Sequence, residues 1–318
     1  MSVTSSIRTL LRQKKIHPRR WLRGLISYSR YLGYVRPQLM TASKEEFLVR
    51  RKLLARAWEP RHLVVPVGKR LLALCPHPDD ESIGAGGLLL AHRNLAEIHL
   101  VCLCNGEGGG SLGESAGDPE ATKRALIETR KTEFRKIAHT LNVASVRHLD
   151  FPDGGIPCST TAAEQLRAIV QDIRPDTVLL PWFLDNHVDH CRANVLYAWG
   201  CADLQALVLG YEVWSLLEPN AVLDITPHLD AKLALIRNYE SQLRTVDYVG
   251  FASGLARVRA YQFPTDTRRA GAVEAYVALP NHEYCSTVCQ LYGEAGCVKP
   301  SALSLLDLHR VERASAAT

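Results

Sequence analysis

No apolar run in this 318-residue chain approaches the roughly 18 to 20 residues that a bilayer-spanning helix requires. The longest candidates, such as Ile83 to Ala91, read as core helices, so a spanning role is not expected. No internal repeat is visible, and the nine cysteines form no repeated Cys-x-x-Cys ladder. Cys102 and Cys104 are predicted on one face of a strand, where core thiols are common. Cys285, Cys289 and Cys297 make a loose late group that could bind a structural metal or form a disulfide. The amino terminus carries no secretory hydrophobic stretch, so a reducing, cytoplasmic location is the expectation. Acidic residues are missing from Met1 to Ala42, which holds nine Lys and Arg. Among them Arg19, Arg20 and Arg23 alternate with Trp21, Leu22, Leu25 and Ile26. Such a segment can lie peripherally on an anionic membrane or fold back on the core. No nucleic-acid reading motif accompanies the charge, so nucleic acid is not an expected partner.

What is present is ordinary for a globular protein, at 47% hydrophobic and 22% charged residues. The length suits one large α/β domain with an appendage, or two small domains. Pro60 to Gly68 interrupts helical periodicity, giving a basic helical extension over 1–67, a main domain over 68–300 and a tail over 301–318. Strands are predicted at Leu71 to Cys75, Ile98 to Cys104, Ser145 to Leu149 and Thr177 to Trp182. Further strands at Ala206 to Trp214 and Val222 to Ile225 extend the sheet, with an antiparallel edge as one option. Helices are predicted at Ile83 to Arg93, Glu120 to Leu141, Thr161 to Ile173, Arg192 to Cys201 and Leu229 to Leu243. Alternating strands and helices imply parallel pairing.

Two clusters carry chemistry. His77-Pro78-Asp79-Asp80-Glu81 follows the first strand, and Asp185-Asn186-His187-Val188-Asp189-His190 follows the fourth. Open α/β sheets bind ligands at the carboxyl edge of their strands. An imidazole and a carboxylate three residues apart can hold a metal, leaving the intervening carboxylate to move protons. Each cluster alone could be ordinary helix capping by Asp. Together they supply the three ligands of an open catalytic site. A nucleotide site fits poorly: Leu89 stands where the dinucleotide fingerprint needs glycine, and Gly106 to Gly110 lacks the Lys-Ser or Lys-Thr of a phosphate loop.

The paired motifs resemble those of the LmbE-like (PIG-L) N-deacetylases over roughly residues 68 to 285. Asn105-Gly106-Glu107-Gly108, Arg130 with Glu133, Ser241-Gln242 and Glu274-Ala275-Tyr276 add to the resemblance. It implies a mostly parallel Rossmann-like sheet with helices on both faces and a metal-dependent hydrolase acting on N-acetylglucosamine-type conjugates. It also implies His77, Asp80 and His190 as ligands of zinc, with iron as an alternative, and Asp79 as general base. His187 would stabilise the oxyanion as an imidazolium, while Asp189 would set a histidine's tautomer. Arg130 resembles a sugar-contacting arginine, with an ion pair to Glu133 as the alternative, and Glu107 is expected on a sugar hydroxyl. Glu81 stays open between capping and site support. Some relatives have a tyrosine where this chain has Asp185 and Asn186, leaving that acid role unassigned. Two other readings remain at this point: an amidase for another sugar-linked acyl group, and a non-catalytic carbohydrate-binding protein.

Overall fold

The computed structural model describes Val49 and residues 60–113, 118–264 and 271–292. The basic segment, the tail and Cys297 lie outside these residues, together with their expected roles.

One eight-stranded sheet organises the chain. Its strands are β1 (Arg61–His62), β2 (Arg70–Cys75), β3 (Glu97–Cys104), β4 (Ser145–Phe151), β5 (Thr177–Pro181), β6 (Leu207–Tyr211), β7 (Ala221–Asp224) and β8 (Val273–Pro280). They lie in the order β1-β7-β8-β6-β5-β2-β3-β4. From β6 to β4 every pairing is parallel, while β8 runs antiparallel to both β6 and β7. The antiparallel element is therefore an inserted strand, not β6 or β7 at an edge. It escapes sequence reading because seven of its eight residues are buried, which removes the two-residue alternation.

Helices cover both faces. On one side, α1 (Asp80–His92) and α2 (Pro119–Thr140) pack with Leu71, Ala73 and Cys75 of β2. On the other, α3 (Thr160–Ile173) and α4 (Val188–Cys201) pack with Leu72 and Leu74. Local chemistry fixes their ends. Asp118 caps α2 ahead of Pro119 at its first turn, and Ser159 caps α3. Helix α3 stops before Pro175, as the pre-proline restriction suggests, although Arg174 closes it in the left-handed region and not in an extended one. The stretch predicted as one helix at Leu229 to Leu243 divides into α5 (Leu229–Arg237) and the short α6 (Glu240–Leu243). Two further helices, α7 (Tyr248–Gln262) and α8 (Asn281–Tyr292), complete the described layers. No helix among the described residues is long and apolar enough to cross a membrane.

Two local departures matter for the site. The register of β3 against β4 shifts between Cys102 and Cys104. Both thiols are buried, but this irregularity sends them to opposite faces, contrary to the expected shared one. Helices α1 and α4 also begin earlier than predicted, at Asp80 and Val188, so the motif residues occupy first turns. Gly84 explains how close α1 lies to the sheet, since a Cβ there would fall 2.1 Å from the Tyr211 ring.

Candidate metal centre and substrate cleft

Strands β2 and β5 are neighbours whose chains continue to opposite sides of the sheet, which opens a crevice at their carboxyl ends. Both sequence clusters emerge there. His77, Asp80 and His190 are buried together. Asp80 lies between the rings, with Oδ2 3.3 Å from His77 Nδ1 and Oδ1 3.3 Å from His190 Nε2. The remaining nitrogens face other carboxylates: His77 Nε2 is 3.2 Å from Asp189 Oδ2, and His190 Nδ1 is 3.3 Å from Asp185 Oδ1. Each imidazole is thus backed by an acid, as metal-ligating histidines commonly are.

The donor set fits a divalent cation. Both nitrogens of the buried His190 lack an aligned hydrogen bond within the protein, which is costly unless something else engages them. Two imidazoles and one carboxylate with a cleft alongside match an open catalytic zinc site. The geometry also brings the ring nitrogens of His77, His187 and His190 within 4.8 Å of one another, and it groups His77, Cys104 and Asp189 equally closely. His187 is therefore nearer to ligand position than its expected role implied.

The carboxylates differ in charge state. Burial pushes the Asp79 carboxyl up to about 8, against the opposing pull of Arg130. Although burial raises Asp80 as well, His190 and His77 hold it far below the ordinary carboxylate range. Asp79 itself sits at φ 125 before α1, with its N–H donating to Glu81 Oε2. Glu81 also accepts from Ser82 Oγ and Tyr239 Oη, so it supports the turn from beneath the cleft.

His187 caps α4, its Nδ1 accepting the main-chain N–H of Asp189. Burial and the nearby His77 and His190 rings lower its pKa to about 4. The ring is then neutral with its proton on Nε2, in place of the expected imidazolium. Asp189 serves His77 rather than its neighbour, and it is fixed by the N–H groups of Gly154 and Ile156.

The cleft beside these groups has a volume of about 490 Å³. Its lining joins the glycine loop 108–110, Asp153 and Gln242 to the apolar side chains of Val213, Trp214, Val246 and Tyr248. Arg130 reaches the cleft but donates to the carbonyls of Gly106 and Pro78 and to Asp79. Its guanidinium holds the two loops together, and the pairing with Glu133 weighed as the alternative to a sugar contact does not form, because Glu133 accepts from Ser241. Glu107 points to Lys123 at 3.1 Å and does not line the cleft. Glu274 is also remote from it, accepting from Gly87, Leu88, Lys232 and Tyr276 and so tying α1 to β8.

Sequence reading missed Asp153, Asp185 as a histidine partner, Trp214 and Tyr248. Asp153 and Trp214 each follow the end of a parallel strand, so the carboxyl-edge rule applied to every strand would have flagged both. Tyr248 carries no such signal.

A buried two-histidine, one-carboxylate centre with a free acid beside an open cleft defines a metal-hydrolase type of site. Comparison with known proteins gives the family. The model of PIG-L, GlcNAc-PI de-N-acetylase, matches residues 72–198. The diacetylchitobiose deacetylase of Thermococcus kodakarensis is 30% identical over 194 residues, covering 55% of this chain and 70% of that protein. A probable N-acetyl-alpha-D-glucosaminyl L-malate deacetylase 2 of Bacillus anthracis is 30% identical over 117 residues, 35% of this chain and 49% of its own length. Among solved structures, the N,N'-diacetylchitobiose deacetylase of Pyrococcus horikoshii superposes with a TM-score of 0.59 at 22% identity, over 76% of this chain and 95% of that one. The chain belongs to the PIG-L (LmbE-like) family of N-deacetylases, hydrolases of amide bonds.

Proposed function

We propose that this protein removes the N-acetyl group from an N-acetylglucosamine-type sugar within a larger conjugate, using a divalent cation held by His77, Asp80 and His190. A bound cation of this kind lowers the pKa of coordinated water and polarises an amide carbonyl. In its ionised form Asp79, buried beside the candidate ligands, accepts the water's proton and then passes it to the departing amine. His187 donates from Nε2 to the carbonyl oxygen as it gains negative charge. Asp189 and Asp185 keep His77 and His190 turned toward Asp80. The glycine loop brings main-chain groups to the sugar's edge, and the Trp214–Tyr248 wall offers a ring-stacking face for its carbon skeleton.

The observation that carries this reading is the buried carboxylate of Asp79, which stands next to the three candidate ligands without being one of them. A purely binding site would have no use for it. The test is acetate release from N-acetylglucosamine conjugates with metal analysis of the same sample. Chelation is expected to abolish release, and Asp79→Asn to retain the cation while losing about 10²- to 10⁴-fold in turnover. Full activity in Asp79→Asn would refute the assignment of the base.

A further inference from the structure

Among the described residues, two of the eight exposed large hydrophobic side chains, Trp214 and Val246, line the cleft, and two more, Leu216 and Phe251, lie within three residues of the cleft-lining Trp214 and Tyr248. Trp214 and Val246 line the cleft although they are 47% and 37% exposed. Leu216, two residues after Trp214, is 61% exposed. Phe251, at 41%, lies about one helical turn from the cleft-lining Tyr248. Exposed apolar side chains thus flank the cleft-lining ones along the chain.

This wall is built to stay in place. The Trp214 N–H donates to Asp185 Oδ2, and the Trp214 ring stands edge-on to Tyr248 at 6.0 Å and stacks beside His187 at 6.2 Å. Ser215 Oγ accepts from Trp182 Nε1 and donates to the Leu184 carbonyl. Behind it, Arg259 of α7 binds both oxygens of the buried Glu212 and the Leu217 carbonyl, clamping the 212–217 loop to the helix. Large apolar side chains held at this degree of exposure cost solvation unless a ligand covers them, and apolar side chains at the rim of a cleft mark a binding surface.

We propose that the wall is a subsite for an apolar aglycone, an alkyl or aryl group carried by the amino sugar and leaving the cleft over Trp214, Leu216 and Phe251. The inference rests on the deacetylase reading, in which the acyl group has only two carbons and needs no such surface. The glycine loop in the same lining offers main-chain and polar groups, so the cleft has separate places for the sugar's hydroxyl edge and its hydrophobic appendage.

The test measures dissociation constants by calorimetry on the metal-loaded Asp79→Asn protein, so that binding is read without turnover. The ligands are methyl, ethyl, butyl and hexyl N-acetylglucosaminides of both anomers, held below micelle formation. A fully buried methylene contributes about fourfold, and a one-sided wall about half of that in free energy, so affinity should rise roughly twofold per methylene. From methyl to butyl the gain should be nearly tenfold. The double variant Leu216→Ser/Phe251→Ser, altered only at exposed positions, should flatten this dependence.

Equal affinity along the series would overturn the subsite. So would a chain-length gain for N-acyl variants in place of glycosides, which would give the wall to the acyl group. Tightening seen only with phosphatidylcholine/phosphatidylglycerol vesicles would assign the patch to a membrane, and a halved mass of the double variant in light scattering would assign it to a second copy. Failure of the active protein to release acetate from any glycoside would count against the deacetylase reading, while the affinity series would still decide this one.

Discussion

At the scale of single residues the site divides labour between adjacent carboxylates by environment. Asp79 and Asp80 are neighbours, yet one is raised to about 8 and the other is held low. The difference follows from partners: Asp80 faces two imidazoles, whereas Asp79 has only the edge of a largely committed guanidinium. A carboxyl whose folded pKa exceeds its unfolded value binds more protons in the native state between those values. Its neutral form then favours folding, and this contribution is lost as pH rises from about 4 to about 8. Chelator-treated Asp79→Asn should therefore gain thermal stability over the parent protein progressively across that window, as thermal melts at stepped pH would record. A gap independent of pH would contradict the raised carboxyl. Asp185 joins His190, the His187 main chain and the Trp214 main chain through one carboxylate. Replacing it by Asn should weaken metal binding 10- to 100-fold in chelator competition, in line with losses seen when a histidine's supporting acid is removed. That the candidate ligands would meet was legible because both motifs follow strands that end at one sheet edge. Asp185 in this role and Asp153 were not, because the contacts that define them come from the folded arrangement of separate loops.

At the scale of elements, the helices that carry the motifs are held by close approach as much as by capping. Sequence patterning located the central strands because each is an apolar run bounded by turns, but it placed the starts of α1 and α4 too late. Their first turns carry Asp80, Ser82, Asp189 and His190, weak formers of helix interior, and Asp and Ser also compete for the backbone in turns; tertiary contacts override this. Asp79 at φ 125 shows the same override. Helix α1 also depends on Gly84 lying against Tyr211. Gly84→Ala should destabilise the protein by about 1–3 kcal/mol in urea denaturation, because a rigid ring in a packed core has little room to retreat. An unchanged midpoint would mean that α1 can shift outward without cost. The missed β8 has a related cause. Buried on both faces, it lacks the alternation that identifies a half-exposed strand, and its Glu274 is a core residue satisfied by four donors.

At the scale of the whole molecule, function follows from strand order. Because β2 and β5 are adjacent while their following helices pack on opposite faces, segments more than a hundred residues apart in sequence meet at one crevice. That convergence was legible as soon as both motifs were seen to follow parallel strands. The apolar wall was not, since it forms from the loop after β6 and the start of α7, whose contact no spacing announces. The central claim is that one cation sits among His77, Asp80 and His190. Anomalous diffraction at the zinc absorption edge, from crystals grown with zinc, tests this directly. The account predicts a single peak within about 2.0–2.2 Å of His77 Nδ1, an Asp80 oxygen and His190 Nε2. A sole peak on the far side of His77, against Cys104 and Asp189, would contradict it.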